Sequence, residues 1–390
     1  MPILMVRIAM NTNRSLLQMP RVFLRNASYD YQTLKPAVFE MIGLLDENIV
    51  TSNASVLIKP NLLMPASPRH AILTHPLVVR AVAEYVLEKN ARPLIADSPA
   101  VGPFEKIKKQ GGYNEALKHL DIEIKAFDTS IKADIGKPFG SIELAKAAIE
   151  ADVVINLPKL KTHSGMLLSL AVKNLFGCIV GLKKPEWHLR SGIDREMFAR
   201  LLVQICRAIN PSITLVDGIW ALEGQGPGKS GKPRYLGVLA GGKNAFSIDE
   251  ALCRLLALEP GKLPTHRAAR NMGLVSESVD IKGNMAVVND FKLPTLAPLT
   301  FGPKPFQTLM RKYMIQRPEA DHALCRLCGE CWQYCPATAI MPSKDRIDFD
   351  YDACIRCYCC IEICPHGALQ PTETLPGKIM RMLPFPSGAC

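Results

Sequence analysis

Short apolar runs alternate with longer amphipathic stretches through the first 260 or so residues. Ser55–Ile58, Leu94–Ala96, Val153–Ile155, Ile213–Val216 and Leu236–Ala240 are aliphatic, partly β-branched and too short for helices. Between them Leu77–Lys89, Phe104–His119, Ile142–Glu150, Glu196–Ile209 and Ile248–Leu258 carry helical spacing, and Pro76 stands where a proline fits, at a helix start. Near-continuous apolar strands separated by helices predict an α/β fold, a mostly parallel sheet covered by helices on both faces. Met1–Ser15 reads as a first strand. It has no basic leader and no small-residue cleavage site, and no run reaches the ~18 apolar residues of a spanning helix. The expectation is a cytoplasmic protein without a membrane span.

Polar and turn-forming residues recur just past the strands. Ile58 leads into Lys59-Pro60-Asn61, Ala96 into Asp97-Ser98-Pro99, and Ile155 into the run Asn156 to His163. Val216 leads into Asp217-Gly218 and Ala240 into Gly241-Gly242. In open α/β sheets the carboxyl ends of the strands are the edge where ligands bind. Five such runs dense in Lys, Asn and Asp therefore predict a site there.

The pattern changes after residue 260. Pro264, Pro294, Pro298, Pro303, Pro305 and Pro318 interrupt the helical period, so 261–317 reads as a proline-rich linker or packing arm. A cysteine module follows at 318–371 and a tail at 372–390, with a short amphipathic piece around Lys378–Leu383. The α/β unit is thus placed at 1–260.

The module repeats itself. Cys325, Cys328, Cys331, Cys335-Pro336 and Cys354, Cys357, Cys360, Cys364-Pro365 share one spacing, 29 residues apart. Three cysteines three residues apart let one loop supply three corners of a cubane, and the fourth ligates the other cluster. The expectation is a small α+β two-cluster ferredoxin-like module holding two [4Fe–4S] clusters. Cluster one takes Cys325, Cys328, Cys331 and Cys364; cluster two takes Cys354, Cys357, Cys360 and Cys335. Structural zinc prefers two pairs with a longer spacer, and disulfides need an oxidising compartment, so both fit less well. Cys359 falls out of register and reads as a non-ligand. Cys178, Cys206 and Cys253 stand singly among apolar residues, as small buried hydrophobes do.

The chain of 390 residues carries a formal net charge of +11, with its basic residues dispersed. Ligating thiolates would reduce that excess. With no recognition motif and few aromatics, charge alone argues weakly for a nucleic-acid partner. The stretch Glu223 to Ser230 imitates a phosphate-binding loop but fails: position 223 is Glu rather than Gly, and Pro227 removes a backbone donor. It reads instead as a lid or turn against a ligand, where glycine permits close backbone approach.

Several runs together resemble the domain of unknown function 362 family across residues 20–260. They are Lys59-Pro60-Asn61, Thr74-His75-Pro76, Asp97-Ser98-Pro99, Lys159-Leu160-Lys161-Thr162-His163, Val172 to Gly177, Asp217-Gly218 and Glu223 to Pro227. The resemblance implies an α/β domain with an attached two-cluster ferredoxin module and supplies no reaction.

The residues themselves suggest chemistry. Lys59, Lys159, Lys161 and Lys173 would bring positive charge to one cleft, where lysine binds phosphate or carboxylate, and Asn61, Asn156 and Asn174 would orient the ligand. Asp97, Asp217 and Glu223 are candidates for metal binding or proton transfer, and His163 and His188 for acid–base work. The expected function is an iron–sulfur oxidoreductase, fed by an electron-donor protein and acting on a small anionic substrate at the strand ends. An additional metal or anionic ligand would fit the same edge. The alternatives are a non-catalytic electron-transfer or metallocentre-assembly protein docking a partner and, on charge alone, a nucleic-acid-binding protein.

Overall fold

The computed structural model describes residues 19–181, 183–191, 194–283, 285–294 and 315–374. The expected first strand within 1–15, residues 284 and 295–314 of the proline-rich arm and the amphipathic piece of the tail lie outside the described residues. In chain order the α/β unit runs β1 (Arg21–Asn26), α1 (Tyr31–Asp46), β2 (Ser55–Pro60), α2 (Pro76–Glu88), β3 (Arg92–Asp97), α3 (Phe104–Gln110), α4 (Tyr113–Leu117), β4 (Glu123–Ala126), β5 (Ser130–Asp134) and β6 (Ser141–Ala145). It continues with α5 (Lys146–Glu150), β7 (Val153–Leu157), β8 (Lys159–His163), β9 (Leu167–Ser169), α6 (Ala171–Asn174), α7 (Lys183–Ser191), α8 (Arg195–Ile209), β10 (Ile213–Gly224), β11 (Gly231–Gly242), α9 (Ala245–Leu255), α10 (Pro264–Asn271) and β12 (Asp280–Lys282).

The main sheet has the order β12-β1-β11-β10-β7-β2-β3-β4. From β10 to β4 every pair is parallel, whereas β11 runs antiparallel to both β10 and β1. Side chains alternate between two cores. Val56, Ile58, Val153 and Ile155 face α1, α2 and α4, while Leu57 and Val154 face the layer containing α6, α8 and α9. Burial on both faces explains the unbroken apolar runs, each such side chain contributing ~1.5–3 kcal/mol.

Caps set the helix starts. His75 Nδ1 accepts from Leu77 N at the head of α2, and Asp194 accepts from Met197 N at the head of α8. Three local expectations fail for identifiable reasons. Residues 141–145 pair with β5, with Ile142 and Leu144 inward, so the first half of the expected helix 142–150 is a strand of period two. The expected helix 104–119 breaks at Gly111-Gly112, where Gly112 adopts φ 76°. Pro264 does not interrupt a helix but begins α10, where its missing N–H costs nothing. With β12 joining the main sheet beside β1, the α/β unit extends past residue 260.

The cysteine module is small. Arg317–Ala320 pairs antiparallel with Leu369–Thr372, and Ile340–Pro342 with Ile347–Phe349; short helices span Glu330–Gln333 and Cys359–Ile363. Its two halves match in backbone detail. Leu327 and Arg356, Gly329 and Tyr358, and Thr338 and Gly367 all adopt positive φ, each pair one repeat apart. The module sits on the α/β unit: Ile363 joins the core beneath α1 and α2, and Ser230 Oγ donates to Leu369 O at 3.1 Å.

Candidate functional site

The strand ends carry three arrangements of buried charge: two border one cavity, and the third stands apart from it. Lys59, at the end of β2, has no exposed surface; its Nζ lies 2.7 Å from Asp97 Oδ1 and donates to Pro60 O at 2.9 Å. Asp97 also accepts from Leu62 N (2.7 Å) and Ser98 N (2.9 Å). A Cβ on Gly177 would lie 2.2 Å from Asp97 Oδ1 and 2.5 Å from Lys59 Nζ, so only glycine fits there.

Lys159 makes a second buried pair. Its Nζ donates to Asp217 Oδ2 at 2.9 Å and to Tyr29 Oη at 2.8 Å, while Tyr29 donates to Asp217 Oδ1 at 2.7 Å. Asp217 accepts further from His75 N (2.8 Å) and Ile219 N (3.3 Å), and the Tyr29 and His75 rings stack at 3.6 Å. Burial pushes the Asp217 carboxyl up, but Lys159 and these donors outweigh it and hold it below the usual range. Lys159 and Asp217 are therefore partners of each other, away from the cavity, rather than members of a shared anion cleft. Glu223 also departs from expectation: it pairs with Arg234 at 3.1 Å and accepts from Lys292 N at 3.1 Å, anchoring the β10–β11 ribbon.

The cavity lies between this sheet edge and the cysteine module and encloses about 760 Å³ of empty space, part of it open to solvent. From the α/β unit come Asn61, Asp97, Ser98, Lys161, Lys173, Asn174, Phe176, Lys184 and His188; from the module come Tyr334, Cys359, Glu362 and Ile363. Lys161 Nζ donates to Asn61 Oδ1 (2.8 Å) and Ile72 O (3.0 Å). Asn61 in turn donates to Asn174 Oδ1 at 3.0 Å, and Asn174 donates to Asn156 Oδ1 at 2.8 Å and Lys59 O at 3.2 Å. Asn156 stands behind the wall, donating to Ala171 O at 3.0 Å. The three asparagines thus brace the lysine-bearing segments. Asp249 of α9 completes the brace, accepting from Ala171 N (2.8 Å) and Val172 N (3.4 Å) at the head of α6. Burial pushes Asp249 up to about 7, against the pull of those two donors.

The cavity's cations are under strain. Burial drives Lys161 down to about 7; Glu362 and Asp97 pull it the other way, against repulsion from Lys173 and Lys159. Burial likewise lowers Lys184, which donates to Ser98 O and Pro99 O, to about 8. Lys173 is lowered by burial and points at the rings of Phe176 (5.7 Å) and Phe198 (5.8 Å). Among the described residues it has no carboxylate within ion-pair distance. A buried ammonium so placed favours an anion beside it.

His163 links the two units. Its Nδ1 accepts from Gly165 N (3.0 Å) and Met166 N (3.2 Å), so in the neutral ring Nε2 carries the proton. Nε2 faces Glu362 Oε2 at 3.6 Å, an electrostatic contact just beyond hydrogen-bond length. Burial pushes both His163, to about 4, and His188, to about 3, so both are neutral near pH 7. The glycine-rich turn meets the module rather than a ligand. A Cβ on Gly226 would lie 2.4 Å from Thr162 O, and one on Gly228 would lie 2.6 Å from Glu362 O. Its glycines permit two backbones to dock.

Two further cavities lie inside the module. One, about 310 Å³, is lined by Cys325, Cys328, Cys331 and Cys364; the other, about 330 Å³, by Cys335, Cys354, Cys357 and Cys360. Ala339 N donates to Cys335 Sγ and Ala368 N to Cys364 Sγ, each at 3.3 Å. Backbone N–H donors aimed at sulfur suit thiolates that carry negative charge on a cluster. The residues present therefore fit four-iron clusters. Cys359 lines the large cavity, next in sequence to Cys360 of the second set. Lys184, Cys359 and Glu362 were not legible as cavity residues, because each reaches it from an element whose docking no local pattern reveals.

Comparison with known proteins agrees with this architecture. The family described as "Domain of unknown function (DUF362)" matches residues 56–254, and a 4Fe-4S dicluster domain matches residues 317–365. A thylakoid-associated protein of Synechocystis sp. is 36% identical over 302 residues, covering 75% of this chain and 94% of that protein. Among solved structures, the lactate racemase apoprotein of Thermoanaerobacterium thermosaccharolyticum aligns with a TM-score of 0.37 at 15% identity, over 58% of this chain and 54% of that one. Having a mostly parallel α/β sheet and a C-terminal iron–sulfur domain, the chain belongs to the DUF362 family.

Proposed function

We propose that this iron–sulfur protein is a reductase for an organic anion with an apolar body, bound in the cavity between the sheet edge and the cysteine module. The observation that carries the reading is the cavity's double wall. One side presents Lys161, Lys173 and Lys184, and the other presents Cys359, Glu362 and Ile363 from the cysteine loop. In this reading Cys325, Cys328, Cys331 and Cys364 hold one [4Fe–4S] cluster, and Cys354, Cys357, Cys360 and Cys335 the other. Bound there, the clusters supply electrons one at a time. Lys173 and Lys161 hold the anionic group, Asn61 orients Lys161, and Phe176, Leu63 and Tyr334 exclude water around the apolar part. His163, neutral and with Nε2–H toward Glu362, fixes that carboxylate at the wall. Asp97 keeps Lys59 satisfied behind it.

Small molecules released from anaerobically purified protein, identified by mass spectrometry, test the reading. Wild type should release an organic anion that the Lys161→Met/Lys173→Met variant lacks. Identical small-molecule content in the two proteins would refute it.

A second reading draws on the thylakoid-associated relative and the net charge of +11: docking of the protein on an anionic membrane face or a membrane-bound electron carrier. Among the described residues no helix is long and apolar enough to cross a membrane. Salt-sensitive sedimentation with membranes would favour this reading, and indifference to membranes would exclude it.

A further inference from the structure

Two carboxylates line the large cavity, and their surroundings differ. Asp97 is occupied: Lys59 Nζ, Ser98 N and Leu62 N take up its two oxygens. Glu362 is not. Its side chain is 15% exposed, and among the described residues its carboxylate meets one polar group, His163 Nε2, at 3.6 Å. That is too long for a hydrogen bond. The position of Glu362 is nonetheless fixed. Its N–H donates to Tyr358 O at 3.1 Å, and Gly228 packs so closely that a Cβ there would lie 2.6 Å from Glu362 O.

The lysines of the α/β unit stand in the complementary condition. Lys161 spends two of its three N–H groups on neutral acceptors, Asn61 Oδ1 and Ile72 O. Lys173 is 7% exposed and, among the described residues, has no carboxylate within ion-pair distance. Burial lowers both lysines, and both also feel the pull of Glu362. Yet among the described residues neither closes an ion pair with it. Opposite charges that are buried and not in contact lose solvation without gaining a partner. A plain anion would satisfy the lysines and be repelled by Glu362. A molecule carrying both charges would satisfy both walls, and the repulsion would select for it.

We infer that the ligand of this cavity is a zwitterion, an amino acid with an apolar side chain, its carboxylate on Lys161 and Lys173 and its ammonium on Glu362. The inference rests on the anion site proposed above and narrows the class of its ligand. Leu63, Phe176, Tyr334 and Ile363 line the space left for the side chain. His163 is a positioning residue: its Nδ1 accepts from Gly165 N and Met166 N, and the opposite edge of the ring faces Glu362.

Anaerobic calorimetric titration of the full-length protein tests this with matched probes: free leucine and free phenylalanine, each against the same acid without its amine. Wild type should bind the amine-bearing member of each pair about tenfold tighter or more, the worth of one charged hydrogen bond. Glu362→Gln should erase the difference, weakening the amino acids and strengthening the plain acids. Lys173→Met should weaken both members of a pair alike. If Glu362→Gln does not fold, the wild-type comparison decides. Amino acids binding no better than the plain acids, a preference that survives in Glu362→Gln, or failure of every probe to bind at millimolar concentration would overturn the inference. Plain acids that bind without any amine preference, and are lost in Lys173→Met, would overturn it while leaving the anion site standing. Identical small-molecule content in wild type and Lys161→Met/Lys173→Met would remove the site and the inference together.

Discussion

Lys159 and Lys173 look alike in sequence, each a lysine in a conspicuous run, but the structure gives them opposite roles, which substitution by methionine should separate. Met retains much of the apolar stem and deletes the charge. In Lys159→Met, Asp217 stays wholly buried and, among the described residues, loses its one cation and keeps the donors Tyr29 Oη, His75 N and Ile219 N. Breaking a buried pair from one side costs ~3–5 kcal/mol. At ~2–4 °C per kcal/mol for a domain of this size, the melting temperature should fall by ~6–20 °C. In Lys173→Met no carboxylate is orphaned, and the new side chain packs against Phe176 and Phe198. Its melting temperature should stay within about 2 °C of wild type. Its affinity for the bound anion should instead fall by the ~1.5–3 kcal/mol of a charged hydrogen bond, roughly 10- to 150-fold. The assays are anaerobic thermal melts of the full chain followed by near-ultraviolet circular dichroism, and equilibrium dialysis with the anion recovered from wild type. The reasoning fails if Lys159→Met melts like wild type, or if Lys173→Met loses as much stability as Lys159→Met.

Three further outcomes are expected. Because Lys161 is lowered to about 7, it is charged below that pH and neutral above it, so anion affinity should fall as pH rises from 6 to 8. Lys161→Met should flatten that part of the profile, and an affinity that rises with pH would contradict the assignment. Cys335→Ala should damage the cluster bound by the 354–360 triplet and Cys364→Ala the one bound by 325–331, whereas Cys359→Ala keeps the full iron content; electron paramagnetic resonance of each variant reads this out, and iron loss in Cys359→Ala would break the register. Asp249→Ala removes the acceptor for Ala171 N and Val172 N and should cost ~1–3 kcal/mol of stability while loosening Lys173, seen as weaker anion binding as well as earlier melting.

Much of the architecture was legible because it depends on local pattern. Apolar runs such as Val153–Ile155 are unbroken since both faces of the strand are covered, and Pro76 marks a helix start by chemistry that acts within one turn. Patterns that depend on partners were not legible. Residues 141–145 became a strand only because 130–134 lies beside them, and Pro264 breaks or begins a helix depending on whether the residues after it pack as one. The site shows the same limit. The sheet edge could be located from the polar runs, and Asn61, Lys161, Lys173, Asn174 and Asp97 do share one cavity. Which lysine is already paired is a three-dimensional fact: Lys59 with Asp97 and Lys159 with Asp217 satisfy one another across 38 and 58 residues of chain. The glycines of 224–228 signalled a close approach, but to Thr162 and the cysteine module rather than to the expected ligand.

The central claim is that an organic anion sits between the lysines of the sheet edge and the iron–sulfur module. A crystal structure of the anaerobically purified protein, grown with its endogenous ligand retained, tests this most directly. The account predicts a carboxylate- or phosphate-bearing molecule touching Lys173 and Lys161, with Cys359 and Glu362 forming its opposite wall. Protein side chains filling the cavity, or an anion bound on a different face while these lysines stay free, would contradict it.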